Sequence, residues 1–290
     1  MAEISDPSAG GLPSFDIDMF PTGDCDSGFH TRNNPSDPYQ RTNIVNRKGA
    51  VDIKCSCVDV VHGRYDEGSY GTLLVLLFRF DPRRRARRVA SANISLMFSG
   101  MKAGASRPEV MAISLDGRFS MQETTRSEEV TRGGDVSLGV SAMQSVEASA
   151  GCFWERTTSA DVTDSTTVVG SIDLIGFDYG PDNCASWSLL ENATRKEGVP
   201  SSMRVGILLR RKTRDEFKCL VEIKAEADFK TGLEMMFGSR PKDDPVLFKP
   251  SMPPTSKLMK YELDSLGDFD LDLVSDVTCV TMKGGVVKEG

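Results

Sequence analysis

The chain has 290 residues, with 35 basic and 42 acidic side chains and a formal net charge of −7. This length allows one large domain or two smaller ones, each able to bury a substantial apolar core. The chain contains two histidines, His30 and His62, so chemistry that needs a histidine triad or several histidine ligands is not expected. The negative charge argues against a general nucleic-acid-binding protein, and no nucleic acid partner is expected.

The sequence also lacks the signals of membrane insertion and export. No window approaches the ~20 consecutive apolar residues of a membrane-spanning helix, and residues 1–20 lack the basic and apolar regions of a signal peptide. We therefore expect a cytoplasmic protein without membrane association. The seven cysteines include Cys55, Cys57, Cys219 and Cys279 in apolar strand-like runs, which favours reduced core residues over metal ligands. Neither a metal nor a cofactor is expected.

The chain divides into three parts by composition. Residues 1–43 are rich in Pro, Gly, Ser, Asp and Asn and are predicted to be a mobile polar arm. Residues 44–250 carry the two-residue apolar period of β-strands, beginning with the alternation at 51–57. Residues 251–290 are predicted to be a Pro-rich, acidic tail.

Strand patterns dominate the central part in chain order. Further strands are predicted at 71–80, 90–98 and 109–115, and the last is expected to form a hairpin with 118–121 through Asp116-Gly117. Residues 217–227 show the clearest amphipathic alternation, and residues 203–211 are predicted to pair with them across a turn at 212–216. Short helices are predicted at 228–237 and 255–266. This pattern indicates an all-β fold, an antiparallel β-sandwich or a partly closed barrel.

The charges are unevenly distributed. An arginine-rich run, expected in a turn, contains Arg83, Arg84, Arg85, Arg87 and Arg88. It is interpreted as a solvated turn, a nuclear import signal or a patch for an anionic partner. The acidic residues between 262 and 276 could neutralise this run within one chain or between copies, which would give a homo-oligomer.

The motifs of common enzymes are missing from the sequence. It contains no nucleophile elbow, dinucleotide-binding loop or phosphate-binding loop. If the protein has a catalytic site, His62 or Asp173 are the candidate acid–base residues. The candidate walls and anchors of an apolar ligand pocket are Trp154, Tyr179, Trp187 and Arg204, although large aromatic residues in a sandwich are also common core residues.

One polar segment indicates a different function. Residues 136–143, 146–150 and 154–159 form a Ser/Thr-rich amphipathic stretch. It resembles the insertion region of aerolysin-type pore-forming proteins, in which polar residues line the pore and small apolar residues contact lipid. Ordinary edge strands share this composition.

A second resemblance extends over residues 51–277. It is carried by residues 166–174, 186–192, 198–204, 227–230 and 241–248. These segments resemble a group of uncharacterised β-rich proteins from filamentous fungi. The resemblance implies an intracellular fungal context and supplies no established activity or catalytic residues.

Three hypotheses follow for the function. The first is a non-catalytic β-sandwich protein that binds an apolar small molecule or a protein partner. The second is a cofactor-independent cyclase, pericyclase or isomerase of fungal secondary metabolism, which would position its substrate in an apolar pocket. The third is an aerolysin-like pore-forming protein. The sequence leaves open whether the protein is an enzyme.

Overall fold

The fold is an all-β sandwich, as the sequence predicts. The computed structural model describes residues 31–48, 51–83, 88–102, 104–135, 153–227 and 243–279. Within these residues, two antiparallel sheets pack face to face around a common apolar core. No helix in the described ranges is long and apolar enough to cross a lipid bilayer.

Twelve strands and two short 3-10 turns make up the described elements. The strands are β1 (Asn43–Arg47), β2 (Val51–Arg64), β3 (Tyr70–Pro82), β4 (Val89–Gly100), β5 (Glu109–Ile113), β6 (Gly117–Asp135), β7 (Phe153–Asp173), β8 (Cys184–Leu190), β9 (Ser202–Arg211), β10 (Phe217–Ala227), β11 (Val246–Phe248) and β12 (Asp276–Thr278). The 3-10 turns are Leu266–Asp268 and Leu271–Val274.

The strands are divided between two sheets. The first sheet has the order β1-β2-β3-β9-β12, and β5 also pairs with β9. The second sheet has the order β11-β10-β4-β8-β7-β6. Alternate side chains from both sheets fill the space between them, including the fully buried Phe78 and Phe98.

The cysteines follow the prediction of core packing. Cys55, Cys57, Cys184 and Cys219 are free and buried, and Cys279 is half-buried. Burial raises the pKa of the Cys57 thiol to about 12, so this side chain stays protonated. The described residues contain no group of three or more His, Cys, Asp or Glu side chains placed to hold a metal ion.

The predicted hairpin at Asp116-Gly117 is wrong, because its two strands belong to different sheets. Strand β5 pairs with β9, whereas β6 pairs with β7. The turn carries the chain across the sandwich, with positive φ angles at Leu115 (56°) and Gly117 (87°). Gly170 accommodates this crossing, because a Cβ atom there would lie 2.1 Å from the carbonyl oxygen of Leu115.

The predicted pairing of 203–211 with 217–227 is also wrong. Strand β9 lies in the first sheet and strand β10 in the second, where it pairs with β4 and β11. Residues 212–216 therefore connect the two layers of the sandwich. Both strands bury alternate residues in the same core, so their alternation predicts a buried face and leaves the partner strand undetermined.

The predicted helix at 255–266 is wrong as well. Residues 255–275, here called the C-terminal strap, lie along the outer face of the first sheet without a helix beyond the two 3-10 turns. The strap covers a second apolar cluster, in which Leu266, Leu271 and Val274 pack with Val61 and Leu73. The helix predicted at 228–237 lies outside the described residues.

A buried carboxylate explains the path of the strap. Asp59 has no exposed surface and accepts hydrogen bonds from the backbone N–H groups of Lys257 (2.8 Å) and Leu258 (3.0 Å) and from the hydroxyl of Tyr261 (2.8 Å). The backbone of the strap at Lys257 and Leu258 is therefore bonded to β2 through the side chain of Asp59. Burial and the hydrogen bond to Asp59 raise the pKa of Tyr261.

The described part of the N-terminal arm contacts the sandwich. The backbone N–H of Thr31 donates to Asp243 Oδ1 at 2.6 Å, and that of Asn33 donates to Asp244 Oδ2 at 2.9 Å. The backbone N–H of Gln40 donates to the carbonyl of Leu247 in β11 at 2.7 Å. Residues 31–42 are thus held against the edge of the second sheet.

Candidate functional site

The two candidate acid–base residues lie in different sheets and share no hydrogen-bond partner in the part of the chain that the structure describes. His62 is buried in β2, where its Nε2 lies 2.7 Å from Gln40 Nε2 and its Nδ1 lies 2.9 Å from Thr72 Oγ1. Burial, together with the nearby Arg211 guanidinium, lowers the pKa of His62 to about 3. The imidazole is therefore neutral near pH 7.

Asp173 lies at the end of β7 with two serine partners. Its Oδ2 accepts hydrogen bonds from the hydroxyls of Ser171 (2.9 Å) and Ser186 (2.6 Å). These contacts join β7 to β8 on the half-buried surface of the second sheet. They connect Asp173 to its own sheet and give it no contact with His62.

The four candidate pocket residues have separate surroundings. Trp187 is 1% exposed in the core, where its indole N–H donates to the carbonyl of Ser114 at 3.1 Å. Tyr179 is 86% exposed. Arg204 Nε donates to the carbonyl of Val274 in the strap at 2.8 Å. Trp154 lies in β7 at a register position opposite Gly134.

The ends of the arginine-rich run are bonded within the chain. Arg83 Nε donates to Asp52 Oδ2 at 2.9 Å, and Arg88 Nε donates to Glu191 Oε2 at 2.8 Å. Arg84, Arg85 and Arg87 lie outside the described residues. The anionic-partner hypothesis for this patch stays a prediction.

The protein surface has an open cleft of about 480 Å³. Its lining consists of Met101, Lys102, Ala105, Arg214, Asp215, Glu216, Lys249 and Ser251. Most of these side chains are charged or polar, so the cleft differs from the closed apolar pocket of the cyclase hypothesis. None of the predicted pocket residues lines it.

A long two-stranded extension is the most distinctive feature of the fold. Strands β6 and β7 pair from Gly117–Gly170 out to Asp135–Phe153, whereas β8 pairs with β7 only at 167–173. Residues 124–135 and 153–164, here called the ribbon, continue beyond the third strand. With about 12 residues in each strand, the ribbon is ~40 Å long.

Asn192 fixes the root of the ribbon, where a bulge interrupts β6 between Met121 and Thr124. The Asn192 side chain is 1% exposed, and its Nδ2 donates to the carbonyls of Gln122 (2.9 Å) and Asp164 (3.0 Å) and to Thr124 Oγ1 (2.6 Å). Gln122 has a positive φ of 53°. The sequence did not predict this role of Asn192. Its only signal there is an asparagine that follows a strand and begins a turn.

The ribbon has two faces, and successive residues of each strand alternate between them. Within the ribbon, odd-numbered residues of β6 pair with odd-numbered residues of β7. All odd-numbered positions therefore belong to one face and all even-numbered positions to the other. The odd face comprises Thr125, Ser127, Glu129, Thr131, Gly133, Asp135, Phe153, Glu155, Thr157, Ser159, Asp161 and Thr163. The even face comprises Thr124, Arg126, Glu128, Val130, Arg132, Gly134, Trp154, Arg156, Thr158, Ala160, Val162 and Asp164. Acidic and hydroxyl residues predominate on the odd face.

The ribbon has two unpaired edges among the described residues. Strand β6 is the last strand of the second sheet, and β7 pairs only with β6 over 153–166. Unpaired edges present backbone N–H and C=O groups that can pair with another chain. A hairpin that forms no larger sheet is also only marginally stable in water. The ribbon therefore has the backbone geometry for strand addition between copies.

The chain matches no family model and no curated protein. Among solved structures, the membrane-inserted form of the Clostridium perfringens NetB toxin is similar with 8% identity, 70% of this chain and 86% of that chain covered, and a TM-score of 0.27. Clostridium perfringens delta-toxin is similar with 12% identity, 68% of this chain and 81% of that chain covered, and a TM-score of 0.28. A structure described as a pore forming protein is similar with 8% identity, 71% of this chain and 84% of that chain covered, and a TM-score of 0.31. Identities and TM-scores this low show no family and carry no argument about function.

Proposed function

We propose that this chain is a pore-forming protein whose β6–β7 hairpin enters a lipid bilayer as part of an assembly of several copies. The observation that carries the proposal is the ribbon, with its length, its polar odd face and two edges that no described residue pairs with. Residues 136–152 join its two strands and lie outside the described residues.

The length of the hairpin supports the proposal. A strand needs about 9–11 residues to cross the apolar part of a bilayer. Strands β6 and β7 contain 19 and 21 residues, and most of each extends beyond the third strand of the sheet. The hairpin is therefore long enough to cross a bilayer while its base stays attached to the sandwich.

The unpaired edges support assembly. Backbone groups within a bilayer must bond to protein, because no water is present there to replace those bonds. In a ring of copies, the β6 edge of one ribbon meets the β7 edge of the next, and the closed ring leaves no unpaired edge. A single copy lacks this arrangement, so the proposal requires an oligomer.

The sequence between the strands supports contact with lipid. Val136, Leu138 and Val140 alternate with Ser137 and Ser141 before the middle of the segment. After it, Val146, Ala148 and Ala150 alternate with Glu147 and Ser149. This two-residue alternation of apolar and polar residues is typical of strands that face lipid on one side and water on the other.

Dye release from liposomes tests the proposal. The full chain is added to phosphatidylcholine vesicles, with and without anionic lipid, over a range of protein concentrations. Concentration-dependent release of an enclosed dye is expected. If neither vesicle type releases dye at any concentration, the proposal is wrong.

A matched pair of substitutions tests the role of the hairpin. Val140→Asp places a charge at a position that the alternation assigns to lipid, and the adjacent Ser141→Asp places the same charge at a position assigned to water. A charge facing the middle of a bilayer is costly, whereas a charge facing the pore is tolerated. Val140→Asp should therefore abolish dye release while Ser141→Asp preserves it, and equal effects would contradict the assigned faces.

A further inference from the structure

The basic residues of the ribbon all lie on one face, whereas acidic residues occur on both. Its odd face carries Glu129, Asp135, Glu155 and Asp161 and no Lys or Arg. All the arginines of the ribbon, Arg126, Arg132 and Arg156, have even numbers and so belong to the other face, which also carries Glu128 and Asp164. Because pairing preserves parity along the ribbon, this separation is a property of the β6–β7 register.

The same register indicates which face adjoins water in the proposed pore. The odd face carries hydroxyl and acidic residues at ten of its twelve positions. The even face carries the aliphatic and tryptophan side chains of the ribbon, together with five charged residues: Arg126, Glu128, Arg132, Arg156 and Asp164. In membrane-spanning strands, the polar face lines the aqueous pathway, and an interfacial tryptophan belongs to the face that contacts lipid.

We propose that the pore is selective for cations, an inference that rests on the proposed function. In a ring of copies, each acidic position of the odd face is repeated once per copy and forms a ring of negative charge around the pathway. Such rings raise the local concentration of cations and exclude anions. The register places four acidic positions per copy on this face with no basic position to offset them.

Ion selectivity in planar bilayers tests the inference. The full chain is added to a phosphatidylcholine bilayer, whose neutral surface does not bias the result, and the reversal potential is measured across a KCl gradient. The permeability to K⁺ should exceed that to Cl⁻ several-fold. Channels that show no preference, or that prefer Cl⁻, would overturn the inference while leaving the pore proposal intact. If no channel forms, the pore proposal fails and the inference fails with it.

Charge removal tests the assigned face. The double variant Glu129→Gln, Glu155→Gln should reduce the preference for K⁺ several-fold. The control is Glu222→Gln, Glu226→Gln, which removes the same charge from exposed positions of β10, away from the ribbon. The control should retain the preference of the unmodified protein.

A second double variant covers the case in which the first does not assemble into channels. If the first double variant forms no channels, Asp135→Asn, Asp161→Asn removes the same number of charges from the same face. Reduced preference in either pair supports the inference. An unchanged preference in the first pair, or failure of the second pair to reduce it, would overturn the assignment of the odd face to the pathway.

Discussion

The side-chain amide of Asn192 donates a hydrogen bond to the backbone carbonyl of Gln122 at 2.9 Å, across 70 residues of sequence. This contact joins the segment that follows β8 to the bulge from which the ribbon extends. The same amide also bonds to the carbonyl of Asp164 in β7, so one buried side chain holds both strands of the ribbon at its root. The sandwich and the ribbon are therefore connected by a specific polar contact.

Asn192→Ala should lower the free energy of unfolding by about 1–3 kcal/mol, because it removes the buried amide that donates to both strands of the ribbon. Amide hydrogen exchange near residues 122–124 and 164 should become faster than in the unmodified protein. The control is Asn93→Ala, at an exposed asparagine of β4 that contacts Ser188. Equal effects of the two substitutions on stability and exchange would contradict the role of Asn192.

Asp59→Ala should release the first part of the strap. The substitution removes three hydrogen bonds to a buried carboxylate, and we expect a loss of about 2–3 kcal/mol of stability. Limited proteolysis should then cleave near residues 257–261 faster than in the unmodified protein. Tyr261→Phe removes one of the three bonds and should have a smaller effect. Unchanged proteolysis in the alanine variant would show that other contacts hold the strap.

His62 should make the protein less stable in acid. Burial lowers the pKa of His62 from 6.5 to about 3, so the unfolded chain binds a proton more readily than the folded chain. The contribution of neutral His62 to the free energy of unfolding is fully present above about pH 6.5. It is lost as the pH falls towards 3, by up to about 1.4 kcal/mol per pH unit.

Urea unfolding between pH 7 and pH 4 measures this dependence. Because carboxylates also titrate near the lower limit, the informative quantity is the difference between the unmodified protein and His62→Asn. The variant should show a shallower decline in stability between pH 6.5 and pH 4.5. Parallel curves for the two proteins would contradict the lowered pKa.

Trp187 and Tyr179 should differ in their importance for stability. Trp187 is 1% exposed, and Trp187→Ala should cost about 3–5 kcal/mol through a cavity and a lost hydrogen bond. Tyr179 is 86% exposed, so Tyr179→Ala should change stability by no more than about 0.5 kcal/mol. Chemical unfolding followed by circular dichroism measures both. A small effect at Trp187 would contradict its place in the core.

The features of the candidate site differ in how far apart in sequence their contacting residues lie. The Ser/Thr-rich amphipathic stretch at 136–143, 146–150 and 154–159 is a local pattern, so the sequence showed it before any partner strand was known. Asn192 and Asp59 left no comparable signal, because their partners are 70 and 198 residues away. The placement of all ribbon arginines on one face also required the register, since the parity of β6 relative to β7 depends on the pairing.

The sequence by itself determined several of the strands and the alternation of their buried residues. The alternation at 217–227 predicted a strand, and Cys219, Ile223 and Ala225 on one of its faces are buried. Only the tertiary structure decided that β10 pairs with β4 and that β9 lies across the sandwich. The physical reason is that alternation records which side chains leave water, whereas both sheets enclose the same core and offer an apolar face to either strand.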